Sequence, residues 1–204
     1  RLVNESLARK DLARARRGVG RLLAFTLPPR ARIGALALSA RLSWREGSSL
    51  DPVALAKSEA PKLPEELRPD LWAALAGAAR DEGRLEAGTD LYVEALNRRT
   101  DRAWLTEACR LAVRAGKADS LLSFFRQQKA RSPRDVRWAV AVREILTFQG
   151  DLEGAVAAAR DAVAVAPERQ DLTRETVALM ERQGRYRDAA DFLEGWAKPR
   201  QADE

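Results

Sequence analysis

The stretch Gln149–Gln170 reads QGDLEGAVAAARDAVAVAPERQ. Gly150 opens it, Leu152, Ala155, Val156 and Ala159 follow at helical spacing, and Pro167 closes it seventeen residues after the glycine. Each choice has a physical reason. Glycine ends a preceding helix because it takes the left-handed conformation at little cost. Alanines let a second helix approach the first closely, and proline cannot continue a helix. One such stretch is an amphipathic helix between two turns. Its recurrence decides the fold.

Gly83, Gly116, Gly150 and Gly184 are separated by 33, 34 and 34 residues. Extending backward by the same rule reaches Gly47 and then Lys10, at slightly wider spacing. Apolar faces of helical period precede the marks, as in Leu71, Trp72, Leu75, Ala78 and Ala79, or Trp138, Val142, Ile145 and Leu146. Others follow them, as in Leu85, Leu91, Tyr92 and Ala95. Pro64 and Pro133 repeat the closing offset of seventeen, and Ala189 follows Gly184 at the offset that Ala155 keeps from Gly150. No period-2 pattern marks a strand. The unit is therefore helix, tight turn, helix, and stacking on neighbours must complete a core that one pair cannot bury. This predicts an all-α solenoid.

The chain here resembles the tetratricopeptide repeat family, whose unit is a pair of antiparallel helices. Trp72, Leu75 and Ala76 with turn glycine Gly83 match the first helix, and Ala155, Ala162 and Pro167 match the second. The resemblance implies a right-handed superhelical solenoid of about five to six stacked pairs. Residues 1–68 read as degenerate, basic helix pairs, and 69–198 as better-matched repeats at about 69–100, 101–133, 134–167 and 168–198, with 199–204 as a tail. The pattern departs at Leu121 and Gln128, where second-helix alanines are expected, and at Arg143, a small-residue position of the first helix. The chain opens at Arg1 without methionine and reads as an excerpt of a longer polypeptide.

Composition narrows the function. The 204 residues are 46% hydrophobic and 32% charged, with a net charge of +6 and no histidine. That removes the commonest metal ligand and the histidine general base, and the one cysteine, Cys109, forms no internal disulfide and offers no zinc spacing. No phosphate loop or nucleophile elbow is present. The expectation is a non-enzyme with no catalytic residues, no metal and no cofactor. No apolar run approaches the roughly 18–20 residues of a membrane helix, so a soluble segment is expected, in periplasm or cytoplasm alike. Arginine outnumbers lysine thirty to six, a bias typical of GC-rich bacterial genomes.

The family's arrays bind peptides or protein surfaces in a concave groove lined by the first helix of each pair. Carried onto this chain by register, the resemblance places Arg41, Trp44, Arg45, Arg80, Glu107, Arg110, Arg114, Glu144 and Phe148 in that groove, and Arg137 joins them as a candidate. Arginine suits bidentate capture of carboxylates. The expected partner is thus another protein or peptide of acidic or mixed charge, gripped in part by Trp44 and Phe148. The clamp that captures chaperone tails needs groove asparagines, and Asn4 and Asn97 lie elsewhere. The alternative is an architectural spacer in a long periplasmic solenoid of an envelope or secretion machine, possible in polysaccharide export, whose surfaces meet its own neighbouring repeats. Residues 1–50 hold eleven Lys or Arg against three acids, including Arg9, Lys10, Arg14, Arg16, Arg17, Arg21, Arg30 and Arg32. That block could meet phosphates or an anionic membrane surface, but nucleic acid is disfavoured because only Phe25 lies nearby as an exposed aromatic. Trp72, Trp104, Trp138, Cys109, Met180 and Phe192 read as core, and the acidic runs Glu65-Glu66 and Asp81-Glu82 as solvated helix ends.

Overall fold

The computed structural model describes residues 12–201, with side chains through residue 197. Asn4, Arg9, Lys10 and the end of the expected tail lie outside the described residues. The order is α1 (Leu12–Ala24), α2 (Pro29–Arg45), α3 (Pro52–Glu59), α4 (Arg68–Asp81), α5 (Leu85–Arg98), α6 (Arg102–Arg114), α7 (Ala118–Arg131), α8 (Val136–Gln149), α9 (Leu152–Val165), α10 (Gln170–Arg182) and α11 (Tyr186–Gln201). Two short 3-10 turns, Ala60–Lys62 and Glu65–Leu67, join α3 to α4, and no strand occurs among the described residues. None of these helices is long and apolar enough to cross a membrane. Helix α11 runs into the stretch 199–204 that the sequence gives to a tail.

The rhythm of turns is a backbone fact. Gly47, Gly83, Gly116, Gly150 and Gly184 all have positive φ, between 68° and 82°. After Gly83 the chain folds back so that Arg84 N–H donates to the Ala79 carbonyl at 2.8 Å, and after Gly150 Asp151 N–H reaches the Leu146 carbonyl at 3.0 Å. These bonds satisfy carbonyls that a helix end leaves open. Helices α6 and α9 start on aspartate caps. Asp101 accepts from Ala103 N–H at 2.9 Å and Trp104 N–H at 3.1 Å, and Asp151 accepts from Gly154 N–H at 2.9 Å. Where prolines crowd the sequence, α3 is short and stops before Pro61.

The chain divides into two compact units, Arg1–Ala115 and Gly116–Glu204. In the first, α2 packs on α1 and α4, α3 on α4 and α5, and α5 on both α4 and α6. Packing of α3 on α4 and α5 crosses the border drawn at 68/69 from the sequence, so the basic N-terminal pairs and the repeat that follows share a core. Trp72 is 2% exposed there, with Leu71, Leu75, Leu91, Leu111 and Cys109 fully enclosed. Close approach is bought by small residues: a Cβ on Gly88 of α5 would stand 3.0 Å from Leu111 Cδ1 and 3.4 Å from the Ala76 carbonyl. In the second unit, α8 packs on α7 and α9, and α10 on α9 and α11. Phe125, Ile145, Ala155 and Met180 form its interior, while Phe192 and Trp196 pack against Ala139, Ala162, Val163 and Leu172. The Trp196 indole N–H donates to the Pro167 carbonyl at 3.0 Å, which ties the closing proline to α11.

The recurrent tryptophans are structural. Arg98 lies over the Trp72 ring at 4.8 Å and Arg99 over Trp104 at 4.6 Å, while Trp138 meets Phe124 edge-on at 6.1 Å. Arginine thus covers faces of Trp72 and Trp104 as well as carrying charge.

Candidate functional site

In the first unit the candidate residues sit on the C-terminal halves of α2 and α4 and on α6. Their arginines do not stand alone. Arg45 Nε lies 2.8 and 2.9 Å from the two oxygens of Glu82, and Arg41 reaches Glu82 at 3.3 Å and Asp81 at 3.4 Å. Glu82, at the turn after α4, is only 11% exposed beneath these two guanidinium groups. This corrects the expectation of a solvated helix end for Glu82, whereas Asp81, Glu65 and Glu66 are exposed. Arg80 bonds Asp81 at 2.8 Å and spans to Glu107 of α6 at 3.1 Å. Asp81 first, then Glu107, hold its guanidinium charge above the ordinary arginine value. Glu107 also accepts from Arg110 at 2.5 Å.

One placement differs from the register. Trp44, expected to grip a partner, is 6% exposed; its indole N–H donates to the Leu50 carbonyl at 2.9 Å and Arg84 covers its ring at 5.3 Å. It has no face to offer, because a tryptophan three residues before the turn is drawn under the turn itself. Tyr92, on the apolar face of α5, is buried as that face implies and reaches the α4 face. Its hydroxyl lies 3.8 Å from where a Cβ on Gly77 would stand, beside the Arg80–Glu107 pair. Burial raises the Tyr92 phenol, and the Arg80 charge opposes that rise. A tyrosine on the second helix of a pair carries no signal of this reach in the sequence.

Among the candidate residues of this unit, two exposed cations lie on α6. Arg110 is half exposed, at 51%, and Arg114 one turn on is exposed, as is Val113 at 37%. No ion pair ties Arg114 to a described residue. Two open clefts lie elsewhere: about 460 Å³ among Asp51, Arg84, Glu86 and Asp90, and about 440 Å³ between Arg30, Ile33, Asp70, Ala74 and Arg99. Neither contains a residue of the arginine set.

In the second unit Glu144 and Phe148 share the later turns of α8 and are partly buried. Arg143, anomalous in the repeat pattern, is 6% exposed and bonds Glu175 of α10 and, at 3.2 Å, Glu144. Arg137 lies about 10 Å along the helix from Glu144. Its guanidinium forks onto Asp135 at 2.7 and 2.9 Å and holds that carboxyl below the usual range. The α8 candidates therefore fall into two places, not one.

Chemically, the arrangement consists of paired charges. Among the described residues no group of three or more His, Cys, Asp or Glu side chains could hold a metal ion.

This is a tetratricopeptide-like fold: helix pairs at a rhythm of about 34 residues that turn on left-handed glycines. No family model matches the chain and no curated protein matches it. Among solved structures it is similar to MamA residues 41 to the end from Desulfovibrio magneticus RS-1, at 14% identity over 95% of this chain and 98% of that one, with a TM-score of 0.45. A tetratricopeptide repeat protein from Parabacteroides merdae ATCC 43184 is 11% identical over 95% of this chain and 75% of its own, with a TM-score of 0.44. YrrB, a TPR protein with an unusual peptide-binding site, is 10% identical over 80% and 84% of the two chains, with a TM-score of 0.41.

Proposed function

We propose that the protein is a non-catalytic interaction scaffold, and that the α4–α6 face of the first unit docks a segment of another protein of acidic or mixed charge. The observation that carries this reading is the pair Arg110 and Arg114, one helical turn apart on the exposed side of α6, with Val113 between them. Beside them, the Arg80–Glu107 pair supplies both signs of charge. An extended segment with carboxylates opposite α6 complements this surface.

A second reading, the architectural spacer, is favoured by a different observation. In each unit an arginine on a first helix reaches forward to a carboxylate at or beyond the next one: Arg41 and Arg45 to Glu82, Arg80 to Glu107, Arg143 to Glu175. Cations so engaged hold repeats together and are less available to a partner.

A peptide array varied in net charge, probed with the wild-type chain and with R110A/R114A, separates the two. The docking reading expects acidic and mixed-charge peptides to be retained, weakened by salt, and lost about tenfold or more in the variant. Retention of no charge class by a folded chain would leave the spacer reading standing.

A further inference from the structure

From Leu12 to Arg45 the chain carries eight arginines and no acidic residue. The fold treats them in two ways. Arg16, Arg32, Arg41 and Arg45 meet Glu46, Glu59 and Glu82, carboxylates supplied from later in the sequence. Arg17, Arg21 and Arg30 remain exposed. Helix α1 buries Ala15 and Val19 against Leu42, with Leu12, Leu23 and Leu38 around them. Arg14, Arg17 and Arg21, spaced i, i+3 and i+7, consequently line one stripe on its other side. Just past the helix end stands Phe25, 70% exposed, with Leu22 at 38%, and Phe25 N–H closes the turn onto the Leu22 carbonyl.

We infer that the outward face of α1 is a peripheral docking surface for an anionic lipid bilayer, with Arg17 and Arg21 on headgroup phosphates and Phe25 entering the headgroup–acyl boundary. Charge complementarity selects an anionic partner. The phenyl selects among such partners, because a bilayer interface accepts a cation and an aromatic ring side by side. Duplex nucleic acid offers phosphates without an apolar layer at that depth, and single strands call for a series of stacking aromatics where this face has one. The surface is separate from the α4–α6 face, so failure of either reading leaves the other untouched.

The test is co-sedimentation of the full chain with vesicles of phosphatidylglycerol and phosphatidylcholine in equal parts, against phosphatidylcholine alone, at low salt. Binding is expected on the anionic vesicles only. R17Q/R21Q should lower the partition constant about 25-fold, at about fivefold per arginine, and F25S about fivefold. These side chains are exposed, so circular dichroism melts of the variants should match the wild type. Absence of binding to anionic vesicles, or equal binding by R17Q/R21Q, overturns the proposal. Tighter binding to duplex DNA, polyuridylate or polyglutamate than to the vesicles, lost in R17Q/R21Q, also overturns it and reassigns the face.

Discussion

Arg143 shows what a single residue can hide in a repeat. Its position calls for a small side chain, yet the guanidinium is 6% exposed between Glu175 and Glu144. A buried cation is stable only while its carboxylates remain, since its water has been removed. Changing Glu175→Gln should therefore cost about 2–3 kcal/mol, less than full loss of a buried pair because Glu144 still accepts one bond. The double change R143M/E175Q should recover most of that loss, as an apolar chain fills the site. Urea titrations of the two variants check both values, and equal destabilisation by single and double would show that the charge is not the cause. The pairing was not legible in the sequence. Arg143 stood out as a departure, but its partner lies 32 residues away and is fixed by the repeat-to-repeat packing, which residue types alone do not set. Trp44 misled for a related reason: whether a ring near a turn faces solvent depends on where the turn carbonyls end up, here that of Leu50.

At the scale of the helix pair, much more could be read in advance. The turn glycines and the closing prolines each act on local backbone geometry, so their signal survives in one sequence. Gly150 is the sharpest instance, at φ 80° with the α8 carbonyls of Thr147 and Leu146 satisfied across the turn. Nothing lies within 4 Å of where its Cβ would be, so Gly150→Ala meets no clash and tests the backbone term by itself. An L-residue in the left-handed region costs about 1–2 kcal/mol, and that loss should appear in a thermal or urea melt. No loss would mean that the turn can rearrange without its glycine. The candidate site was legible only as helix positions. Register placed Arg41, Arg45 and Arg80 on first helices, but the cross-helix carboxylates that engage them became visible only when the pairs were stacked.

Across the whole chain, charge sets how stability depends on pH. With no histidine among 204 residues, no side chain of ordinary pKa titrates between about pH 5 and 8, so stability should form a plateau there. The acid edge comes from carboxylates held by arginine and lysine. Asp135 is depressed by Arg137. Glu59 is pushed up by burial, but Lys62 and Arg32 outweigh that and hold it low. A carboxyl depressed in the folded state contributes stability above its unfolded pKa of about 4, and loses it as pH falls through the folded value. The alkaline edge has the opposite origin. Tyr92 is raised by burial, so the folded chain holds its proton longer than the unfolded one, and stability is lost as pH rises from about 10 through the folded value. Urea melts across pH 2–11 should therefore give a flat top with two falling sides. The Y92F variant should soften the alkaline side while leaving the acid side in place, and D135N should do the reverse. A slope inside the plateau, or an alkaline edge unchanged in Y92F, would locate the titrating group elsewhere than in the packing of α5 against α4.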